Sequence, residues 1–102
     1  MYENPVKIVD LYYSQVNKSL RICRALNNPF RQALLKLLED QANLTVTQIY
    51  LALKADQSVT SAHLGILRRN NIVIANRDGK CINYSLNHER IMEIYSILQK
   101  LV

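Results

Sequence analysis

Apolar positions repeat along this chain with two different periods, and the change of period divides it into elements. From Pro5 onward, Val6, Val9, Tyr13, Val16, Leu20 and Cys23 follow an alternating three-four spacing. That is a heptad-like seam held over about five helical turns. Ile8, Leu11 and Tyr12 widen the band. Asn4-Pro5 supplies an N-cap followed by a proline at the first helical position. Asn27-Asn28-Pro29 ends this helix and begins a second, whose Phe30, Leu34, Leu35, Leu37 and Leu38 predict a core-facing stripe. Asn43 marks the next break. Thr45-Val46-Thr47-Gln48 has the spacing of a capping box, so a short third helix is expected over about 46–54, burying Ile49, Leu53 and Tyr50. Lys54-Ala55-Asp56 is a turn, and a fourth helix begins at Gln57. Two short helices so joined form a helix-turn-helix. After Asn70-Asn71 the period drops to two. Ile72–Arg77 and Lys80–Leu86 are strand-like, joined by Asp78-Gly79, a strong two-residue hairpin signal. Asn87 caps a last helix with its stripe at Ile91, Ile94, Tyr95, Leu98 and Leu101.

The fourth helix has two unlike faces. Val59, His63, Ile66 and Leu67 are expected to face inward, with His63 a hydrogen-bonded structural residue. Ser58, Ser61, Ala62, Gly65 and Arg69 recur on the other side. A solvated helix face ordinarily carries Glu and Lys pairs. This one carries hydroxyls, a methyl group, no side chain, and then two guanidiniums at Arg68 and Arg69. A glycine in mid-helix costs roughly 1 kcal/mol against alanine, so its presence points to close approach by something large. The major groove of DNA, which admits one α-helix, fits that description.

In the hairpin, pairing about Asp78-Gly79 sets Ala75 opposite Ile82 and Val73 opposite Tyr84, with Leu86 on the same face. Asn76, Cys81, Asn83 and Ser85 take the other face. Arg77 and Lys80 are then expected to face each other beside the turn. Like charges directly opposite are unfavourable, which makes a phosphate a natural partner; the alternative is a solvated tip where the two chains splay.

Composition agrees with a nucleic-acid partner. The 102 residues carry a formal charge of +5 and a pI near 9.4. Two glycines and two prolines suit a helix-rich fold. No apolar run approaches the roughly 20 residues of a membrane span, and MYENPVK lacks a signal-peptide layout. Two separated cysteines make no disulfide framework. A single domain over residues 1–102, located in a reduced cytoplasm, is expected.

The order helix, helix, helix-turn-helix, hairpin, helix, mainly α with a small β-hairpin, resembles a winged helix-turn-helix with an added helix at each end. The residues that carry the likeness begin with 25–31, ALNNPFR, and 44–46, LTV. Gln57-Ser58, Ser61, His63-Leu64 and Leu67 continue it, followed by Ile72-Val73, 77–80 (RDGK) and Tyr84-Ser85-Leu86. Over about 23–86 the chain is similar to the arsenic-repressor-like (ArsR-type) family of bacterial winged-helix regulators. The resemblance implies a homodimeric repressor, paired through residues 1–24 and 87–102. Its seam would draw on Val6, Val9, Tyr13, Val16, Leu20, Ile91, Ile94, Tyr95, Leu98 and Leu101. It implies a helix-turn-helix over 45–70 and a wing over 72–86, bound to double-stranded DNA at a palindromic operator. Half-sites would lie about one helical turn, roughly 34 Å, apart. Gln57, Ser58 and Ser61 match groove-facing positions, and Arg77 and Lys80 match the wing. Thr47, Ala62, Gly65, Arg68 and Arg69 complete the expected DNA-contacting set. Ala62 and Gly65 depart from the longer polar side chains common in the family.

Relatives commonly release DNA on binding a metal. One family site uses a cysteine pair where this chain has Thr45 and Thr47, poor ligands for soft metals. A second uses positions that match His88, Arg90 and Leu101, and a guanidinium and an isobutyl group cannot ligate zinc. No metal or cofactor is expected. A thiol switch would need Cys23 and Cys81 within about 7 Å between Cα atoms, or paired between molecules, and the expected layout separates them. Two other functions stay open: a winged-helix protein-interaction module without DNA binding, and a thiol-sensing regulator using Cys23 and Cys81. Enzymatic activity ranks last, for want of an acid pair, a base-activated nucleophile or a phosphate loop.

Overall fold

The computed structural model describes the backbone of residues 5–101, and the side chains within it other than those of 5–12, 15 and 101. The side chains of Val6, Val9 and Leu101 of the expected seam, and the Asn4 cap, therefore lie outside what is described. In chain order the elements are α1 (Pro5–Leu26), α2 (Pro29–Gln41), β1 (Leu44–Thr45), α3 (Val46–Ala52), α4 (Gln57–Arg69), β2 (Val73–Asp78), β3 (Cys81–Leu86) and α5 (His88–Leu101).

The helix boundaries follow from local chemistry. Asn28 caps α2 by accepting from the Arg31 amide at 3.0 Å, with Pro29 at the first position. The capping box at α3 is present in both halves. Thr45 Oγ1 accepts from the Gln48 amide at 3.2 Å, and Gln48 Oε1 accepts from the Thr45 amide at 2.9 Å. Asn87 Oδ1 accepts from the Arg90 amide at 3.1 Å and starts α5. The last four carbonyls of α1 have no partner within the helix, and each is met from outside. Cys23 O accepts from the Asn27 amide, Arg24 O and Ala25 O from the Arg31 guanidinium, and Leu26 O from the Gln32 side chain.

α3 ends at Ala52, two residues earlier than the pattern suggested, because the chain turns into the left-handed region at Lys54, φ 54°. The Ala55 amide reaches back to Tyr50 O and the Lys54 amide to Leu51 O. This is a Schellman closure with lysine where glycine is usual. α4 closes the same way. Asn71, φ 59°, donates to Arg68 O, and Ile72 donates to Leu67 O at 2.9 Å. The turn and the far end of the helix-turn-helix are thus fixed by backbone hydrogen bonds.

The sheet has three antiparallel strands in the order β1-β3-β2. β1 was not foreseen; it pairs Leu44 with Tyr84 and Thr45 with Asn83. The wing's register also differs from expectation. Val73 faces Leu86, Ala75 faces Tyr84, and Arg77 faces Ile82. The two loop residues are Gly79 and Lys80, with Gly79 at φ +63° in the first loop position. Glycine at that position followed by an ordinary residue is the pattern of a type II′ turn. The shift is two residues, so face membership survives. The expected Arg77–Lys80 opposition does not, and Lys80 stands at the tip.

The core draws on every element. Leu34 and Leu38 of α2, Ile49 of α3, Leu64 and Leu67 of α4, and Ile72 are essentially sealed from solvent. Ile22, Ala25, Leu44, Val73, Leu86 and Ile94 join them. Ile94, expected on the dimer seam, is only 4% exposed and packs within its own chain.

The inward stripe of α4 is Thr60, Leu64 and Leu67. Val59, expected inward, is 47% exposed. Thr60 is fully buried, and its hydroxyl oxygen has no hydrogen-bond partner among the described residues. An unmet buried hydroxyl costs about 1–3 kcal/mol. Thr60→Val removes the hydroxyl and keeps the branched shape, so stability should rise by about 1–2 kcal/mol, or roughly 4–8 °C in Tm per kcal/mol. Thermal denaturation at matched protein concentration checks this; an unchanged or lower Tm would mean the hydroxyl is satisfied in solution.

Candidate nucleic-acid interface

α4 is held from beneath and left bare above. Asp56 caps it, its carboxylate accepting from the amides of Ser58 at 2.7 Å and Val59 at 3.4 Å. With Thr60, Leu64 and Leu67 facing the core, helical spacing puts Ser58, Ala62, Gly65 and Arg69 in one stripe on the opposite side. Gln57, Ser61 and Arg68 run along one flank of it. All of these are exposed except Gly65, which is half-buried. A Cβ at Gly65 would meet only Arg69 Nη1, at an ordinary 3.6 Å. The chain's own packing therefore does not require glycine there.

Thr47 is exposed on α3, and Arg77 and Lys80 are exposed on the wing. The structure adds two exposed apolar residues to this region, Val59 on α4 and Leu51 on α3. A branched methyl group beside a polar stripe can meet a thymine methyl in the groove. Val59 was missed because valine beside threonine looks like the more apolar, and so the more inward, of the two. The spacing from Leu64 and Leu67 selects Thr60.

His63 sits on the flank towards α2. Its ring lies 4.7 Å from that of Phe30, tilted by 30°. Arg31 Nη1 is 3.2 Å from His63 Nδ1. A guanidinium only donates, so Nδ1 accepts and the proton belongs on Nε2. Arg31 thereby joins the end of α1 to α4. Burial, and then the Arg31 charge, push the His63 pKa below its usual 6.5. The unfolded chain therefore takes up this proton at a higher pH than the folded one. Stability from His63 is full above pH 6.5 and declines as pH falls below it, through the lowered folded-state pKa. Urea unfolding between pH 7.5 and 5 should show that decline, and His63→Gln should flatten it. An equal slope in the variant would assign the effect elsewhere.

Cys23 is half-buried on α1 and Cys81 exposed on the wing, both as free thiols. Among the described residues, no helix is long and apolar enough to cross a membrane.

A short helix, a turn, an exposed and lightly decorated second helix and a basic-tipped hairpin beside it make up a winged helix-turn-helix. The pattern of the bacterial regulatory protein, ArsR family, matches residues 28–75. An HTH-type transcriptional regulator of Methanocaldococcus jannaschii is 33% identical over 84 residues, covering 82% of this chain and 94% of that protein. The transcriptional repressor PagR of Bacillus anthracis is 30% identical over 86 residues. Its crystal structure superposes with a TM-score of 0.69, covering 84% of this chain and 98% of that one. A homodimeric winged helix-turn-helix DNA-binding domain from Mycobacterium bovis, solved by NMR, is 26% identical. It has a TM-score of 0.68 over 99% of this chain and 86% of that one. The chain belongs to the ArsR family, and it is a transcriptional regulator rather than an enzyme.

Proposed function

We propose that this regulator is a homodimeric repressor that reads a palindromic operator with one α4 in each of two successive major grooves. The observation that carries this is the outward stripe of Ser58, Ala62 and Gly65, made of short side chains, with the Arg69 guanidinium alongside, 3.6 Å from where a Gly65 Cβ would stand. Gln57 can read adenine bidentately, and Ser58 and Ser61 can bond to either kind of base pair. Thr47, Ala62, Arg68 and Arg69 complete the surface.

The second copy is supported by apolar side chains that this chain leaves open. Tyr13 and Leu20 are exposed on α1, and Met92 and Tyr95 on α5. Val16, Ile91 and Leu98 are half-buried beside them. The Mycobacterium bovis relative is itself a homodimer.

The family's metal positions do not fit a metal. The Thr45 hydroxyl is taken up by the capping box, and Thr47 offers only a hydroxyl. The Arg90 guanidinium donates to Asn70 O at 3.2 Å and pairs with Glu93 at 2.9 Å. Among the described residues, no three of His, Cys, Asp and Glu come together.

Selection from random-sequence DNA should return inverted repeats whose half-site centres lie about one helical turn apart. Enrichment of single sites, or none, would overturn the reading. Replacing Arg77 and Lys80 together with Ala should weaken binding to every sequence alike and lower the dimer's salt slope by about four, two from each protomer. An effect confined to one operator would mean that the wing reads bases.

A further inference from the structure

A cavity of about 670 Å³ opens between α1, α5 and the C-terminal end of α4. Its size falls within the range of small-molecule sites, roughly 300–1,000 Å³. Its lining is unusual in charge. Lys18 and Arg21 come from α1, Arg69 from α4 and Lys100 from α5, while Ile22 and Ile97 give it apolar walls. Among the described residues, Glu93 is its one carboxylate, and Arg90 pairs with it at 2.9 Å. Among the described residues, none of the other four cations is in an ion pair. Four uncompensated positive charges around a concave, partly apolar space create a potential that favours an anion.

Of the expected dimer seam, only Val16, at the edge on α1, also lines this cavity. On α5 the lining residues Arg90, Glu93, Ile97 and Lys100 form one helical stripe. The exposed apolar residues Met92 and Tyr95 lie on another, so a partner seated on them meets a different face of α5 from the one that lines the cavity. The core does not account for the cavity, since the charged groups are at the surface.

We infer that the cavity binds a small organic anion with an apolar body, a carboxylate or phosphate monoester carried on a ring or branched chain. Its occupation is coupled to DNA binding through Arg69. This residue lines the cavity, yet its Nη1 also reaches back along the outward stripe, to 3.6 Å from where a Gly65 Cβ would stand. One guanidinium thus serves both sites. An anion that draws it into the cavity removes it from the groove-facing surface, and by linkage DNA weakens the anion by the same factor. The coupling rests on the DNA-binding reading above; the anion site does not.

The test uses the full chain with isoleucine methyl groups labelled for NMR. Phenyl phosphate, phthalate and inorganic phosphate are titrated at constant ionic strength without DNA. Saturable shifts at Ile22 and Ile97 are expected with the two aromatic anions, at least tenfold weaker with inorganic phosphate. The Lys18→Gln/Arg21→Gln variant, outside the groove-facing set, should bind the aromatic anions at least tenfold more weakly. Absence of saturable shifts with all three probes, or equal binding by the variant, would overturn the site. So would equal affinity for inorganic phosphate, or the same shifts produced only by a short non-operator duplex. In a second arm, saturating phenyl phosphate should weaken operator binding at least fivefold. Unchanged operator affinity despite bound anion would overturn the coupling. Absence of operator binding in the anion-free protein would instead overturn the repressor reading, with the anion site decided by its own titration.

Discussion

Ser61→Glu, and separately Ala62→Glu, will lower operator affinity about a hundredfold or more while leaving the fold unchanged. Both positions are exposed on α4, and neither side chain supports the core. A carboxylate placed there meets base-edge acceptors and phosphates, and like-charge juxtaposition in an interface costs several kcal/mol. A hundredfold loss corresponds to about 2.8 kcal/mol. Surface substitutions of this kind change stability by only about 0.5 kcal/mol. Fluorescence anisotropy with operator DNA, together with a thermal melt, separates the two effects. Operator affinity within a few-fold of the parent protein's would mean that this face of α4 does not enter the groove.

Leu64→Ala, on the same helix, should give the opposite pattern. Leu64 is 1% exposed and stands in the core with Leu67. Truncating a buried leucine to alanine costs about 2–5 kcal/mol, through lost transfer energy and the cavity left behind. In a domain of this size, each kcal/mol lowers Tm by roughly 4–8 °C. Calorimetry should show that drop. Operator affinity measured well below the new Tm should fall far less than in Ser61→Glu. A Leu64→Ala protein that keeps its Tm would contradict the inward orientation of this stripe; one that melts normally but loses DNA would exchange the roles of the two faces. The pair therefore tests the division of α4 into a supporting side and a contacting side.

Much of the architecture was legible because its signals are local and redundant. The Asn28-Pro29 start, the Thr45/Gln48 capping box and the Asn87 cap each combine a hydrogen-bonding side chain with a fixed offset, and all three are present. What escaped depends on contacts between distant residues. β1 is two residues long, too short for any period to announce it, and it exists because β3 is there to pair with. Asp78-Gly79 marks a turn but not which two residues form its loop. Two registers differing by two residues keep the same faces, and the choice falls to the pairing of buried Val73 with Leu86. The phase of α4 was displaced at one position, since apolar character favours Val59 over Thr60 while Leu64 and Leu67 fix the geometry. On α5 one apolar set serves two purposes. Ile94 is used up internally, whereas Tyr95 and the unremarked Met92 remain outside. The cationic cavity had no sequence signal at all, because Lys18, Arg21, Arg69 and Lys100 are brought together only by folding.

The small strand β1 has a mechanical consequence. Thr45 is at once its last residue, paired with Asn83, and the cap of α3. A lone two-stranded hairpin in water is marginal, and a third strand anchors it. The hairpin is therefore not a loose flap hinged to the body; it is a cantilever whose root is the first turn of α3. A sideways load at Lys80 is borne at Asn83 and Tyr84, crosses the strand pairing to Thr45 and Leu44, and passes from there along the backbone into α3. Amides at that root should exchange with solvent in step with those of α3 rather than with those of the tip.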